Sequence, residues 1–394
     1  MKKIALVLFS MSAIAFTSCK EEKKKTINQE QSITETKNHI ENPVYVGTYT
    51  KKEGHVDGKA DGIYLMDKQS DGKLKMIATV AELTNPSWVT ISHDTKYLYA
   101  VSELVDVEGN SGYLGVYEIN DDYTLHEVAQ IPSGAYAPCH IAVDKTDKYV
   151  FVANYAGGVF MEFKKGMNNS FKNINKVNLN ELPEAVTKTS HAHEITFSDD
   201  NKHFYVNDLG DDKIWIYDFD ESNGDIKPNQ QPYVSTVKGA GPRHFVIADN
   251  QKFAYSINEL NSTVTVFSFD KNTGGLKKLQ AITTLPEDYK EFNATAEIAI
   301  HPNGKYLYAS NRGHNSIAAF KIDAEKGTLS SIGYQSTEGD FPRYFGIANQ
   351  GKTIYAANQN TGNIAELVIH EDGTLSSANN VVEVPTPVCM AFIK

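Results

Sequence analysis

Arginine is almost missing from this chain. Of 38 basic residues only Arg243, Arg312 and Arg343 are arginine, and the acids outnumber the bases to leave a net charge of −11. A nucleic-acid surface needs a dense basic face to displace counterions, and none is legible here, so nucleic acid is not an expected partner. Cysteine is scarce as well, with three in 394 residues. Cys139 and Cys389, far apart in a large chain, do not make a disulfide framework, and both are expected to be reduced and buried. Beyond the N-terminus no stretch reaches the roughly 18 apolar residues of a membrane helix. Long segments of 3.6-residue period are also lacking, which argues against a helical fold.

At the N-terminus, Lys2 and Lys3 precede an apolar stretch over residues 4–16 that is too short to span a bilayer comfortably. Small residues then lead to Cys19, and Phe16-Thr17-Ser18-Cys19 resembles a bacterial lipoprotein cleavage box. Residues 1–19 are therefore expected to be an export signal, with Cys19 as the lipid anchor at the cell envelope, on the periplasmic or surface side. Residues 20–42 are polar and aperiodic, which reads as a flexible tether. The folded domain is expected over 43–394.

From Pro43 onward one pattern recurs at intervals of about 45–53 residues, within the range of propeller blades. The copies are NPSWVTISHDTKYLYAVSEL from Asn85, APCHIAVDKTDKYVFVANYA from Ala137 and HAHEITFSDDNKHFYVNDLG from His191. They continue as GPRHFVIADNQKFAYSINEL from Gly241, TAEIAIHPNGKYLYASNRG from Thr295 and FPRYFGIANQGKTIYAANQN from Phe341. A seventh copy begins at Pro385 and stops before its second strand. That strand is supplied at the other end, where NPVYVGTYT from Asn42 matches the second half of the repeat. Two further strands follow each copy, such as VFSFD and NTGGL, joined at Gly and Asn residues that tolerate positive φ. The pattern predicts an all-β, seven-bladed β-propeller, its ring closed by the N-terminal strand completing the last blade, with no second domain.

Equivalent positions in every blade converge on one place, so the repeat can be read by columns. One column is Ser87, Cys139, His193, Arg243, Ala296, Arg343 and Val388. The other, after the aromatic strand, is Tyr49, Glu103, Tyr155, Leu209, Glu259, Arg312 and Gln359. A purely structural position repeats its residue type, whereas these columns vary and are rich in charge. All three arginines fall in them. A chain that uses lysine for solvation and keeps arginine here points to bidentate gripping of a carboxylate or phosphate. The structural alternative is that the arginines pair with Glu103 and Glu259 to hold blades together. His191, His193 and Glu194 form a cluster, but no third zinc ligand is evident, so no metal or other cofactor is expected. Alternation directs His140 and His244, one position further along, to the opposite face as blade-packing residues.

GPRH followed by INELNS, with SNRG, FPR and YVGTYT, closely resembles the propeller-type lactonase family, which includes bacterial 6-phosphogluconolactonases and the fungal carboxy-muconate lactonising enzyme. The resemblance implies a metal-free lactone site in the central funnel, and the lactonising enzyme's set of one His, two Arg and one Glu falls on His193, Arg243, Arg312 and Glu259. Arg343 matches the PR motif of the phosphogluconolactonase branch. On this basis His193 is expected as the base, Glu259 as its partner or as the alternative base, and Arg312 as the oxyanion stabiliser. Arg243 and Arg343 are expected as clamps for the substrate anion, with Glu103 beside them; Arg312 and Arg343 are interchangeable in these roles. The expected partner is a small anionic lactone, bound by a monomer. An export signal sits poorly with a cytosolic phosphorylated sugar as substrate. Two other functions fit the same columns: a non-catalytic envelope propeller that captures an anionic sugar or protein, and a muconate-type cycloisomerase.

Overall fold

The computed structural model describes residues 40–393 apart from 55, 106–110 and 188. The expected export signal, Cys19 and nearly all of the tether lie outside the described residues. Seven four-stranded antiparallel sheets follow one another along the chain. They are numbered here as blades 1–7 from the sheet that begins at Val89, and in each the first strand is innermost.

Blade 7 is built from both ends. The strand Pro387–Phe392 pairs with Pro43–Thr48, which pairs with Ile63–Lys68 and then Leu74–Ala81. The register matches Val44 with Phe392 and Val46 with Met390, so chain-terminal hydrogen bonds close the ring. Residues just before 43 already contact the domain. The amides of Glu41 and Asn42 donate to Asp67 Oδ1 at 3.1 and 2.9 Å, and Ile40 packs on the blade 7 core.

The burial pattern explains why these segments are strands. The second strand of each blade, such as His203–Asp208 or Phe253–Asn258, is buried along its whole length, save for half-buried Tyr97 in blade 1, because both of its faces meet a neighbouring blade. The outermost strand, such as Leu276–Thr283, is largely open to solvent, with Lys277 and Lys278 exposed. A repeated latch joins successive blades. Tyr255 Oη donates to the carbonyl of Gly327 at 3.0 Å, and Tyr205 and Tyr308 do the same to Gly274 and Gly373. Gly327 has φ +70°, and a Cβ there would meet the Phe253 ring at 2.2 Å. The turn therefore accepts only glycine, and the preceding blade's aromatic strand seats on it.

Candidate functional site

The inner strands are not regular. In blade 3 Ala192 pairs with Asp208 and Glu194 with Asn207, which leaves His193 as the extra residue of a β-bulge. The same shift sets Cys139, Arg243 and Arg343 outside the ladder in blades 2, 4 and 6. A bulge re-aims its side chains and breaks strict alternation. In these blades two consecutive side chains thus turn toward the propeller axis.

The first of these, with the residues that end the second strands, surrounds a cavity of about 410 Å³ to which all seven blades contribute. Tyr49, Glu103, Tyr155, His193, Glu259, Arg312, Arg343 and Gln359 line it, with Cys139 and Phe341 among them. Arg243 does not line it. It lies behind Glu259 at 2% exposure, where its Nε donates to Glu259 Oε2 at 3.0 Å and its Nη1 to the Ala296 carbonyl at 2.8 Å. Arg312 Nη2 grips the same Glu259 oxygen at 2.8 Å and also donates to the Thr295 carbonyl at 2.9 Å. The Phe341 ring, 5.1 Å from the Arg312 guanidinium, covers it. Across the cavity Glu103 Oε2 accepts from Tyr49 Oη at 2.9 Å and from Ser87 Oγ, with Arg343 Nη2 at 3.6 Å.

The charges set the protonation states. Burial alone would raise the Glu259 carboxyl, but Arg312, Arg243 and Arg343 together outweigh it and hold it below its ordinary value. It is an ionised acceptor and a weak base. Burial, reinforced by Arg243, His244 and Arg343, drives the His193 imidazole well below its ordinary value, so it is neutral at pH 7. Its Nδ1 is buried without a hydrogen-bond partner, and no hydrogen bond joins it to Glu259. The expected His–Glu pair is therefore absent among the described residues; Glu259 is committed to arginines instead. Burial and then Glu259 push the Tyr155 phenol up to about 12.

His191 stacks on Tyr155 with ring centroids 4.4 Å apart, and its Nδ1 bonds the Tyr155 carbonyl at 3.0 Å. Among the described residues no group of three or more His, Cys, Asp or Glu side chains is placed to hold a metal ion. Cys139 and Cys389 are free and buried, as expected.

The sequence reading missed a layer. His140 and His244 do not point away from the first column, because the bulge carries them to the axis as well. His244 lies 5.2 Å from His193 and 5.8 Å from His140 between ring centroids, and Trp88 of blade 1 meets it across the axis at 5.3 Å. Glu297 of blade 5 completes this layer, with Oε1 3.1 Å from His244 Nδ1. Comparing the residue after each first-column member across all seven copies would have exposed it.

Residues 43–392 match the family described as "Lactonase, 7-bladed beta-propeller". The chain belongs to this lactonase family. A relative from Bacillus subtilis named 6-phosphogluconolactonase is 28% identical over 89% of this chain and 97% of its own length. A solved structure of a putative 6-phosphogluconolactonase from Bacteroides fragilis superposes with a TM-score of 0.80 at 28% identity, covering 90% of this chain and 99% of that one. The periplasmic gluconolactonase of Pseudomonas aeruginosa shares the fold at a TM-score of 0.80 and 24% identity, over 90% and 99% of the two chains. Within the lactonase family, then, the charged columns of this propeller meet at one axial cavity.

Proposed function

We propose that this lactonase-family propeller hydrolyses a small sugar lactone in its axial cavity, by 6-phosphogluconolactonase-like chemistry without a metal. The observation that carries the reading is the convergence of His193, Glu259, Arg312 and Arg343 on one cavity. Opening a lactone requires a deprotonated water and positive charge where the carbonyl oxygen becomes an oxyanion. His193 is neutral and free to take the water's proton, which it returns to the ring oxygen as the C–O bond breaks. Arg312 supplies charge to the oxyanion, and Arg343 grips the substrate's anionic or hydroxyl groups. Three guanidiniums face the two carboxylates Glu103 and Glu259, which leaves one surplus positive charge for the transition state. Arg243 acts through Glu259 as a positioning residue, in place of the direct clamp expected from its column.

In the same reading Cys19 carries the lipid anchor, residues 20–39 tether the domain, and the monomer works at the cell envelope. The periplasmic setting named for the Pseudomonas aeruginosa relative supports this location. The test is a pH-stat assay of glucono-lactone and 6-phosphogluconolactone hydrolysis by the chain from residue 40 onward. Acceleration over the spontaneous rate, lost in His193→Ala, is expected. No acceleration with either lactone overturns the reading. The unpartnered Nδ1 of His193 favours one other function, a propeller that binds an anionic sugar without chemistry. Thermal stabilisation by gluconate without any turnover of the lactone distinguishes it.

A further inference from the structure

A continuous chain of polar contacts runs from the buried axial layer up to the cavity. Glu297 Oε1 lies 3.1 Å from His244 Nδ1, and Arg243 Nη1 lies 3.3 Å from His244 Nε2. Arg243 Nε then donates to Glu259 Oε2 at 3.0 Å, and Arg312 Nη2 reaches that same oxygen at 2.8 Å. The arginine end of the chain fixes the tautomer. A guanidinium only donates, so His244 Nε2 must accept and the ring proton sits on Nδ1, aimed at Glu297. Glu297 Oε1 also accepts from the Ile298 amide at 3.0 Å, while Oε2 is buried with no partner. Neither His244 nor Glu297 lines the cavity, and both are buried.

We propose that Glu297 and His244 are positioning residues for the cavity, whose contact chain sets Arg243 and, through it, the Glu259–Arg312 pair. The proposal rests on the cavity's being the lactone site and extends the machinery to a layer that does not touch substrate. Without the Nδ1–H acceptor, the His244 ring loses the tautomer that holds Arg243 Nη1, and Arg243 keeps only Glu259 and the Ala296 carbonyl.

The same pair makes the cavity sensitive to alkali. Burial raises the Glu297 carboxyl to about 8, opposed by Arg243 and Arg343. The other groups facing the pair are Glu194 and His193 from blade 3, His140 from blade 2, Glu259 from blade 4, Arg312 and Arg343 from blades 5 and 6, and Tyr344 and Cys389. Burial raises the Glu194 carboxyl well above its ordinary value and keeps both histidines uncharged at pH 7. Burial likewise raises the Tyr344 phenol and brings the Cys389 thiol to about 12, so neither ionises near pH 8. At pH 7 Glu297 is therefore neutral, its proton on the unpartnered Oε2. Above pH 8 it becomes an anion directly behind Arg243 and opposes anion binding in the cavity.

The experiment measures gluconate affinity by calorimetry from about pH 7 to about pH 9, for the full-length wild-type protein, Glu297→Gln and His244→Phe. Wild-type affinity is expected to fall about five-fold or more across this range, and Glu297→Gln is expected to lack that step. His244→Phe is also expected to lower kcat for the lactone more than it raises KM. A Glu297→Gln protein that keeps the wild-type step overturns the proposal, whatever the protein hydrolyses. A wild-type step with no lactone turnover overturns only the lactonase reading. Should gluconate not bind the wild type, melting temperature decides. A carboxyl raised from its ordinary value to about 8 costs the fold stability progressively between those two pH values. Glu297→Gln escapes that cost, so its melting temperature relative to wild type is expected to climb from about pH 5 to about pH 8. A constant difference overturns the proposal, and so does failure of Glu297→Gln to fold while His244→Phe folds and keeps wild-type kcat.

Discussion

Arg243 holds Glu259 from behind, with Nε 3.0 Å from Oε2, so the carboxylate reaches the cavity already pinned to a buried cation. Replacing Arg243 by Lys leaves one ammonium where a fork served Glu259, Ala296 and His244. Each lost charge-assisted bond costs about 1.5–3 kcal/mol. Steady-state kinetics are expected to show kcat/KM falling roughly a hundred-fold, mainly through kcat, because Arg243 does not border the cavity. An Arg243→Lys enzyme with wild-type kcat removes the residue from the machinery.

Glu259→Gln separates charge from shape. The amide keeps the volume but leaves Arg243 and Arg312 facing each other without a shared anion. The expected result is tighter gluconate binding, from the added net positive charge, together with a kcat lower by about two orders of magnitude. Retained kcat in this variant shows that the arginines hold their places without the carboxylate.

The protonation state of His193 sets the acid limb. A base must be unprotonated, and His193 is held well below its ordinary value by burial and the arginines. Activity is therefore expected to stay level as pH falls through about 6.5, where a free histidine loses half its basic form. A pH–rate profile whose acid midpoint lies at or above that value assigns the base to another group.

Charge stabilisation by guanidinium predicts indifference to chelators. Prolonged dialysis against EDTA is expected to leave lactone turnover within experimental error of the untreated protein. Loss of activity that returns with a divalent ion contradicts the proposed chemistry.

The interblade latch carries stability. Tyr255→Phe removes a buried hydroxyl donor and leaves the Gly327 carbonyl unpaired, at a cost of about 1–3 kcal/mol. Urea denaturation is expected to show a lower midpoint with unchanged slope, while kcat, set at the axis, stays as in wild type. A shift in kcat shows that the outer latch reaches the site.

Much of the site was legible because equivalent positions of the repeat converge on the axis. Residues that occupy one column approach the axis from successive blades, and so His193, Glu259, Arg312 and Arg343 could be grouped without coordinates. A column does not report depth or partner. Arg243 shares its column with Arg343, yet one is sealed behind Glu259 and the other borders the cavity. Glu259 could equally have oriented His193; two arginines claimed it instead. His140 and His244 were misdirected by two-residue alternation, since the bulges at Cys139 and Arg243 insert one residue into each ladder.

Blade number, strand order and ring closure follow from the sequence alone. Each rests on a local pattern of apolar and turn residues that repeats along the chain, and the half-repeats at the two ends complement each other. Tertiary structure decided which side chains share an oxygen and which lie beneath the cavity floor. Arg243 and Glu259 meet within one blade, but Arg312, His244 and Trp88 reach their partners from neighbouring blades about 50 residues away or from across the axis, and bulges one residue long re-aim these side chains. No local pattern encodes such meetings.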